Sequence, residues 1–233
     1  MIILCLDTSG PVAGAALMED GVIRYEASAV NRFTHSRSIL PIVEEAYLHT
    51  GLTIEETNYF AVTVGPGSFT GVRIGVSTVK GLARAGHTPC IAVDALEAMA
   101  AGVMLPFDGV ICPIQDARAG QVYGAAFRGG TLERLLPDEP LILEDYVRKA
   151  AEWGERMLFL GDGMPVHRAR IQEILGERAL FAPPHLAYLR PAAAAYLASK
   201  KTAEAVHYLE LRPLYLRAPQ AERRRNLEEA AHG

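Results

Sequence analysis

Cysteine is scarce. Cys5, Cys90 and Cys112 are odd in number and far apart, no Cys-x-x-Cys occurs, and each sits in an apolar run. A disulfide framework is excluded, and the three are expected as buried free thiols in a reducing compartment. Basic charge is also short: 23 Lys and Arg against 27 Asp and Glu leave a formal net charge of −4. That excludes a broad electrostatic footprint for nucleic acid, though not a local basic patch. No apolar run approaches the roughly 18 residues that span a bilayer. The opening MIILCLDTSG lacks a basic stretch before its apolar residues, so no secretory signal is read there and a cytoplasmic location is expected. The seven histidines never fall three or four residues apart, so there is no helical metal motif. Gly-Lys-Ser/Thr, Gly-x-Gly-x-x-Gly and Gly-x-Ser-x-Gly are all missing.

What remains is an ordinary folded composition, 50% hydrophobic and 21% charged in 233 residues, enough for one or two domains with a real core. Residues 2–6 are an apolar run ending at Asp7, which suits a buried strand. Residues 12–18 and 22–29 flank Glu19-Asp20-Gly21 and read as a hairpin. A helix is expected within 36–50, closed by Gly51: with Ser38 as its N-cap Pro41 is tolerated in the first turn, and with an earlier start Pro41 kinks the helix. A strand at 59–64 runs into Gly65-Pro66-Gly67-Ser68-Phe69-Thr70-Gly71 and a second helix ending at Gly86. A strand at 89–93 follows, and Asp94 and Glu97 have capping-box spacing for a short helix to about 101.

The pattern then restarts. Strands are expected at 110–115, 121–127 and 131–136, a helix at 144–153, a strand at 157–160, Gly161-Asp162-Gly163, and a helix at 165–175. Asp7 and Asp116 end the first strand of each copy and stand 109 residues apart; the same offset carries Met18 to Phe127 and Gly21 to Gly130. Two copies make two α/β lobes with mixed sheets. The expected division is 1–103, 104–217 and a charged tail, 218–233, with an Ala-rich helix at 192–206. Duplicated lobes with an acid ending strand one of each resemble the actin-like (ASKHA) ATPase architecture, in which nucleotide binds between the lobes.

Several residues are candidates for chemistry. Asp7, Thr8 and Ser9 can face a phosphate or its metal ion, or Asp7 can cap its own turn. The glycine-rich stretch 65–71 can present helix N–H groups to an anion, or be a tight strand-to-helix turn. The helix after it carries Gly71, Gly75 and Gly81, each costing about 1 kcal/mol. That cost implies a close approach, either to its own sheet or to a helix of a partner. Arg118 can contact a nucleotide phosphate or a partner carboxylate, or form a structural ion pair.

Leu4-x-Leu6-Asp7-Thr8-Ser9, His35-Ser36-x-x-Ile39-Leu40-Pro41, Gly65-Pro66-Gly67-Ser68-Phe69-Thr70-Gly71-x-Arg73-Ile74-Gly75, Lys80-Gly81-Leu82-Ala83 and Asp116-Ala117-Arg118-x-Gly120-Gln121-Val122-Tyr123 resemble the TsaB (YeaZ) family. The match is strongest over 1–127. Beyond that it rests on length, on 161–163 and on Pro213-x-Tyr215-Leu216-Arg217. The resemblance implies an actin-like fold and a non-catalytic pseudoenzyme scaffold. It would activate TsaD, the transferase that makes N6-threonylcarbamoyladenosine beside the tRNA anticodon, and act with the ATPase TsaE. It implies no cofactor of the chain's own: ATP or ADP with Mg belongs to the complex with TsaE, and the metal to TsaD. The metal-binding His-x-x-x-His of TsaD falls here on Ala95 and Met99. The resemblance further implies a homodimer in isolation, contact with tRNA only through the complex, and no membrane. It places Ile39, Val43, Tyr47, Val72, Gly75, Val76 and Val79 in a helical interface with TsaD or a second copy. The alternative reading is an ATP-dependent ASKHA kinase or ATPase acting alone. The run Arg223-Arg224-Arg225 is the one feature that favours direct tRNA binding.

Overall fold

A computed structural model describes residues 1–30, 34–104 and 107–217; the tail and its Arg223–Arg225 run lie outside the described residues. The first lobe is built from β1 (Ile2–Asp7), β2 (Ala13–Glu19), β3 (Val22–Ala29), α1 (His35–Thr50), β4 (Tyr59–Gly65), α2 (Phe69–Gly86), β5 (Cys90–Asp94) and α3 (Ala95–Ala101). The second repeats it with β6 (Val110–Arg118), β7 (Gln121–Arg128), β8 (Arg134–Ile142), α4 (Leu143–Ala151), β9 (Met157–Leu160), α5 (Gly163–Leu175), β10 (Ala179–Phe181) and α6 (Pro191–Lys200).

Sheet order is β3-β2-β1-β4-β5 in one lobe and β10-β9-β6-β7-β8 in the other, the same order element for element. In each, the first three strands are antiparallel neighbours and the last two pair in parallel. The duplication inferred from the 109-residue offset is therefore real in three dimensions. The Asp20-Gly21 turn takes positive φ at both residues, 48° and 83°, as a two-residue hairpin requires.

Local chemistry sets most boundaries. Ser68 caps α2, its Oγ accepting from Gly71 N at 3.2 Å. Asp94 caps α3, its Oδ1 accepting from Glu97 N at 2.7 Å. Two expectations need correction. α1 begins at His35 after Thr34, so Ser38 is a buried helical residue rather than the cap and Pro41 lies in the helix interior. β8 runs on through Pro137 and Pro140, where a strand ending at 136 was expected. It is an edge strand, and an edge tolerates residues without an N–H.

The halves on either side of 103/104 are interleaved. α6 packs on the sheet of the first lobe, chiefly on β1 and β2, while α3 lies between the sheets, against β4 and β5 of the first lobe and β6 and β7 of the second; the two helices also touch each other. α6 is shorter than the expected 192–206, and Val206 instead bridges to Cys90 of β5. Leu211 joins the first lobe's core, and Leu214 N donates to Val64 O at 2.7 Å. The chain after Arg190 thus belongs with the first lobe. Glu26 of β3 ties it there, its Oε1 accepting from Ala192 N at 3.0 Å. Lys201 Nζ donates to Glu97 Oε2 at 2.7 Å, tying the end of α6 to α3, and across the lobes Arg134 lies 3.5 Å from Asp94.

Three apolar clusters result: one per lobe, and a central one in which α3 and α6 join both sheets. All three cysteines are free and buried, as expected, and burial pushes each thiol up. No helix among the described residues is long and apolar enough to cross a membrane.

Candidate functional site

A cleft of about 490 Å³ opens between the lobes, lined from one side by Ser9, Gly10, Gly67 and Phe69 and from the other by Gln115, Asp116, Arg118 and Asp162. Leu214 to Arg217 close one end. Stacking holds that segment in place. The rings of Tyr215 and Phe69 lie 4.6 Å apart, Arg73 sits over Phe69 at 4.2 Å, and Arg73 Nε donates to the Tyr215 hydroxyl at 2.9 Å.

The first-lobe wall is self-satisfied. Asp7 is buried at 1% exposure. Its Oδ1 accepts from Ser9 N at 3.0 Å, from Ser9 Oγ at 2.7 Å and from Thr63 Oγ1. Burial raises its pKa, while hydrogen bonds from Thr63 and Ser9 and the nearby His35 oppose the rise. Thr8 is buried too, its Oγ1 donating to Gly71 O at 2.7 Å. Ser68 N donates to Ser9 O at 2.7 Å. A methyl group at Gly67 or Gly71 would overlap the carbonyl oxygens of Ser9 and Thr8. The glycines of 65–71 therefore let the α2 N-terminus close onto the end of β1, where Ser68 N is taken up by Ser9 O. Of the trio Asp7, Thr8 and Ser9, Ser9 alone lines the main cleft.

The second-lobe wall differs. Asp116 repeats the turn of Asp7, its Oδ1 accepting from Arg118 N at 3.0 Å. Arg118 lies at a positive φ of 69° with its side chain 83% exposed, its Nη1 3.6 Å from Asp116 Oδ2. Gln115 is 2% exposed, and neither its Oε1 nor its Nε2 has a hydrogen-bond partner among the described residues. The same holds for Asp162 Oδ1, His167 Nε2 and Arg217 Nη1. Burial, then the charge of Asp116, push the Asp162 carboxyl up to about 6, against backbone donors and Arg118. Gln115, Asp162 and Arg217 were not among the candidates read from sequence. A signal existed for Gln115, a polar residue in an apolar strand whose counterpart at the repeat offset is Leu6.

The expected interface residues turn inward. Ile39, Val43, Val72, Val76 and Val79 are core residues of the first lobe. Gly75 is buried too, and a methyl there would lie 2.5 Å from Thr8 Oγ1 and 3.1 Å from Val62 Cγ2. Tyr47 is half-buried, its hydroxyl 2.7 Å from Thr57 Oγ1. The stripe that looked free to meet a partner is the one that covers the lobe's own sheet. Outward on α1 point Leu40 and Leu48, the latter 77% exposed. Outward on α2 lies Gly81, where an added methyl would meet nothing. Ala95 and Met99 are buried in the central apolar cluster.

A family model described as TsaD, tRNA N6-adenosine threonylcarbamoyltransferase, matches residues 29–225. The tRNA threonylcarbamoyladenosine biosynthesis protein TsaB of Bacillus subtilis is 36% identical over 224 residues, 95% of this chain and 96% of that one. YeaZ from Pseudomonas aeruginosa superposes with a TM-score of 0.76 at 27% identity, over 92% of this chain and 99% of its own. Component A of (R)-2-hydroxyglutaryl-CoA dehydratase from Acidaminococcus fermentans shares the fold alone, with a TM-score of 0.52 at 13% identity over 87% and 99% of the two chains. A duplicated actin-like fold and full-length similarity of this kind converge: the chain belongs to the TsaB (YeaZ) family and with it to the biosynthesis of threonylcarbamoyladenosine in tRNA.

Proposed function

We propose that the chain is a non-catalytic activator of the TsaD transferase, acting with TsaE in the cytoplasm to form N6-threonylcarbamoyladenosine next to the anticodon. The observation that carries this reading is the state of Asp7. Its carboxylate already holds three donors from Ser9 and Thr63 and is shut away from the cleft, so it is committed to structure rather than to a metal ion or phosphate. The metal that serves TsaD does not fit here either: Ala95 and Met99 offer no ligand at ordinary conditions and are buried in apolar surroundings. No step through a metal or a nucleotide phosphate chain is assigned to this chain. ATP or ADP with Mg, and the metal, belong to its partners.

Its contribution is then a surface. The outer face of α1 and α2, with Leu40, Leu48 and Gly81, is the reading's docking face for TsaD, and for a second copy when the chain is alone. Docking that favours the active arrangement of TsaD shifts a population without supplying a catalytic group.

The test is an omission assay. TsaD, TsaE, ATP, a supply of threonylcarbamoyl-adenylate and unmodified tRNA are incubated with and without this chain, and with this chain replacing TsaD. Modification only when both chains are present is expected. Modification without this chain, or with it in place of TsaD, overturns the reading.

A further inference from the structure

Buried polar groups are ordinarily paired, and a side-chain amide left without partners on both its oxygen and its nitrogen is exceptional. Gln115 is such a group, and it lines the interlobe cleft together with Asp162 and Arg217, each of which also has a buried polar atom without a partner among the described residues. The set is mixed. Gln115 offers a donor and an acceptor side by side, Asp162 an acceptor, and Arg217 a cationic donor, with Arg118 at the mouth. A phosphate chain matches it poorly. The start of α2 is already engaged, with Ser68 N donating to Ser9 O and Gly71 N to Ser68 Oγ, and Asp116 and Asp162 repel added negative charge.

The complement of a carboxamide unpaired at both its oxygen and its nitrogen is another amide or urea, which returns an acceptor and a donor at the same spacing. The complement of Arg217 is a single oxyanion. We propose that the interlobe cleft binds a small monoanion carrying an amide or ureido group, an N-acyl or N-carbamoyl amino acid, with the ureido edge on Gln115 and Asp162 and the carboxylate at Arg217. The site stands on these residues alone. The choice of N-carbamoyl-L-threonine as probe rests on the proposed role in threonylcarbamoyl transfer.

Isothermal titration of N-carbamoyl-L-threonine into the full chain tests this, with L-threonine, AMP and pyrophosphate as comparators. Saturable binding of the ureido acid is expected, stronger than any comparator and weakened at least about tenfold by Gln115→Leu and by Arg217→Met. Gln115→Leu removes an unpaired amide and is expected to melt at or above the wild-type temperature, so lost binding there is not lost fold. Four results each overturn the proposal: no saturable heat up to about 10 mM probe, which assigns the cleft to water; tighter binding of AMP or pyrophosphate; tighter binding of L-threonine; or affinity indifferent to Gln115. The omission assay separates this from the functional reading. A chain required for modification but blind to the probe overturns the site alone, and a chain that binds the probe but is dispensable for modification overturns the role alone.

Discussion

The two lobes share strand order, pairing and an aspartate at the end of the first strand, yet they treat that end in opposite ways. In the first lobe Asp7, Thr8 and Ser9 are locked to Thr63, Gly71 and Ser68, and the glycine loop closes on top of them. In the second, Asp116 keeps the same backbone turn, but Gln115, Asp162 and Arg217, which line the cleft with it, each hold a buried polar atom that no described residue pairs. A duplicated scaffold thus preserves a turn more readily than the use made of it. One copy has turned its cleft-facing polar groups into packing, and the other has kept them available.

Four experiments press on that contrast. The largest effect is expected from Val76→Glu, which puts a charge inside the filled first lobe. A loss of about 4 kcal/mol or more in urea unfolding is expected, against a change within about 0.5 kcal/mol for Leu48→Glu on the outward face of α1. A folded, stable Val76→Glu chain would show that α2 is not seated as described. Next, Asp7→Ala strands the donors of Ser9 and Thr63 in the interior and is expected to cost about 3 kcal/mol, while Asp116→Ala costs about 1 kcal/mol or less. Equal losses would erase the distinction between the lobes.

Third comes pH. The folded-state pKa of Asp162 is raised to about 6 from an ordinary 3.8. Between those values the folded chain holds a proton that the unfolded chain has released. The group's stabilisation is therefore complete below pH 4 and is lost as pH rises through 6. Asp162→Asn removes this loss, and its stability advantage is expected to grow from pH 4 to 7, reaching about 2 kcal/mol. A difference that does not change with pH would mean the carboxyl is ordinarily solvated. The smallest effect is Gly81→Ala, which fills open space on a helix and is expected to add about 0.5–1 kcal/mol to the isolated chain. A weakened association with TsaD in the same variant would tie that glycine to a close helix contact.

Much of this architecture is legible in the sequence. The 109-residue offset carries both the repeat and the matching turns, because strand ends and glycine turns have strict chemical requirements. Val72, Val76 and Val79 declare one apolar face of α2, but periodicity does not say what covers a face, and here it is the lobe's own sheet. Gly71 and Gly75 sit on that same face and explain themselves by contact with Thr8, whereas Gly81 does not. The prolines of β8 hid its second half, because a proline breaks a strand in general and spares an edge in particular. Gln115 was legible only as an oddity. That its amide is unpartnered depends on how two lobes, more than a hundred residues apart in sequence, face each other.

The return of α6 to the first lobe's sheet bears on how the chain is made. Over β1 and β2, one face of the sheet formed by residues 2–94 is not covered until residues 191–200 have been synthesised and have folded back across it. On the ribosome the first lobe must wait with apolar surface showing. A fragment ending at the apparent lobe boundary would carry that bare face permanently. A first lobe that looks separable in sequence is thus completed only when α6 is in place.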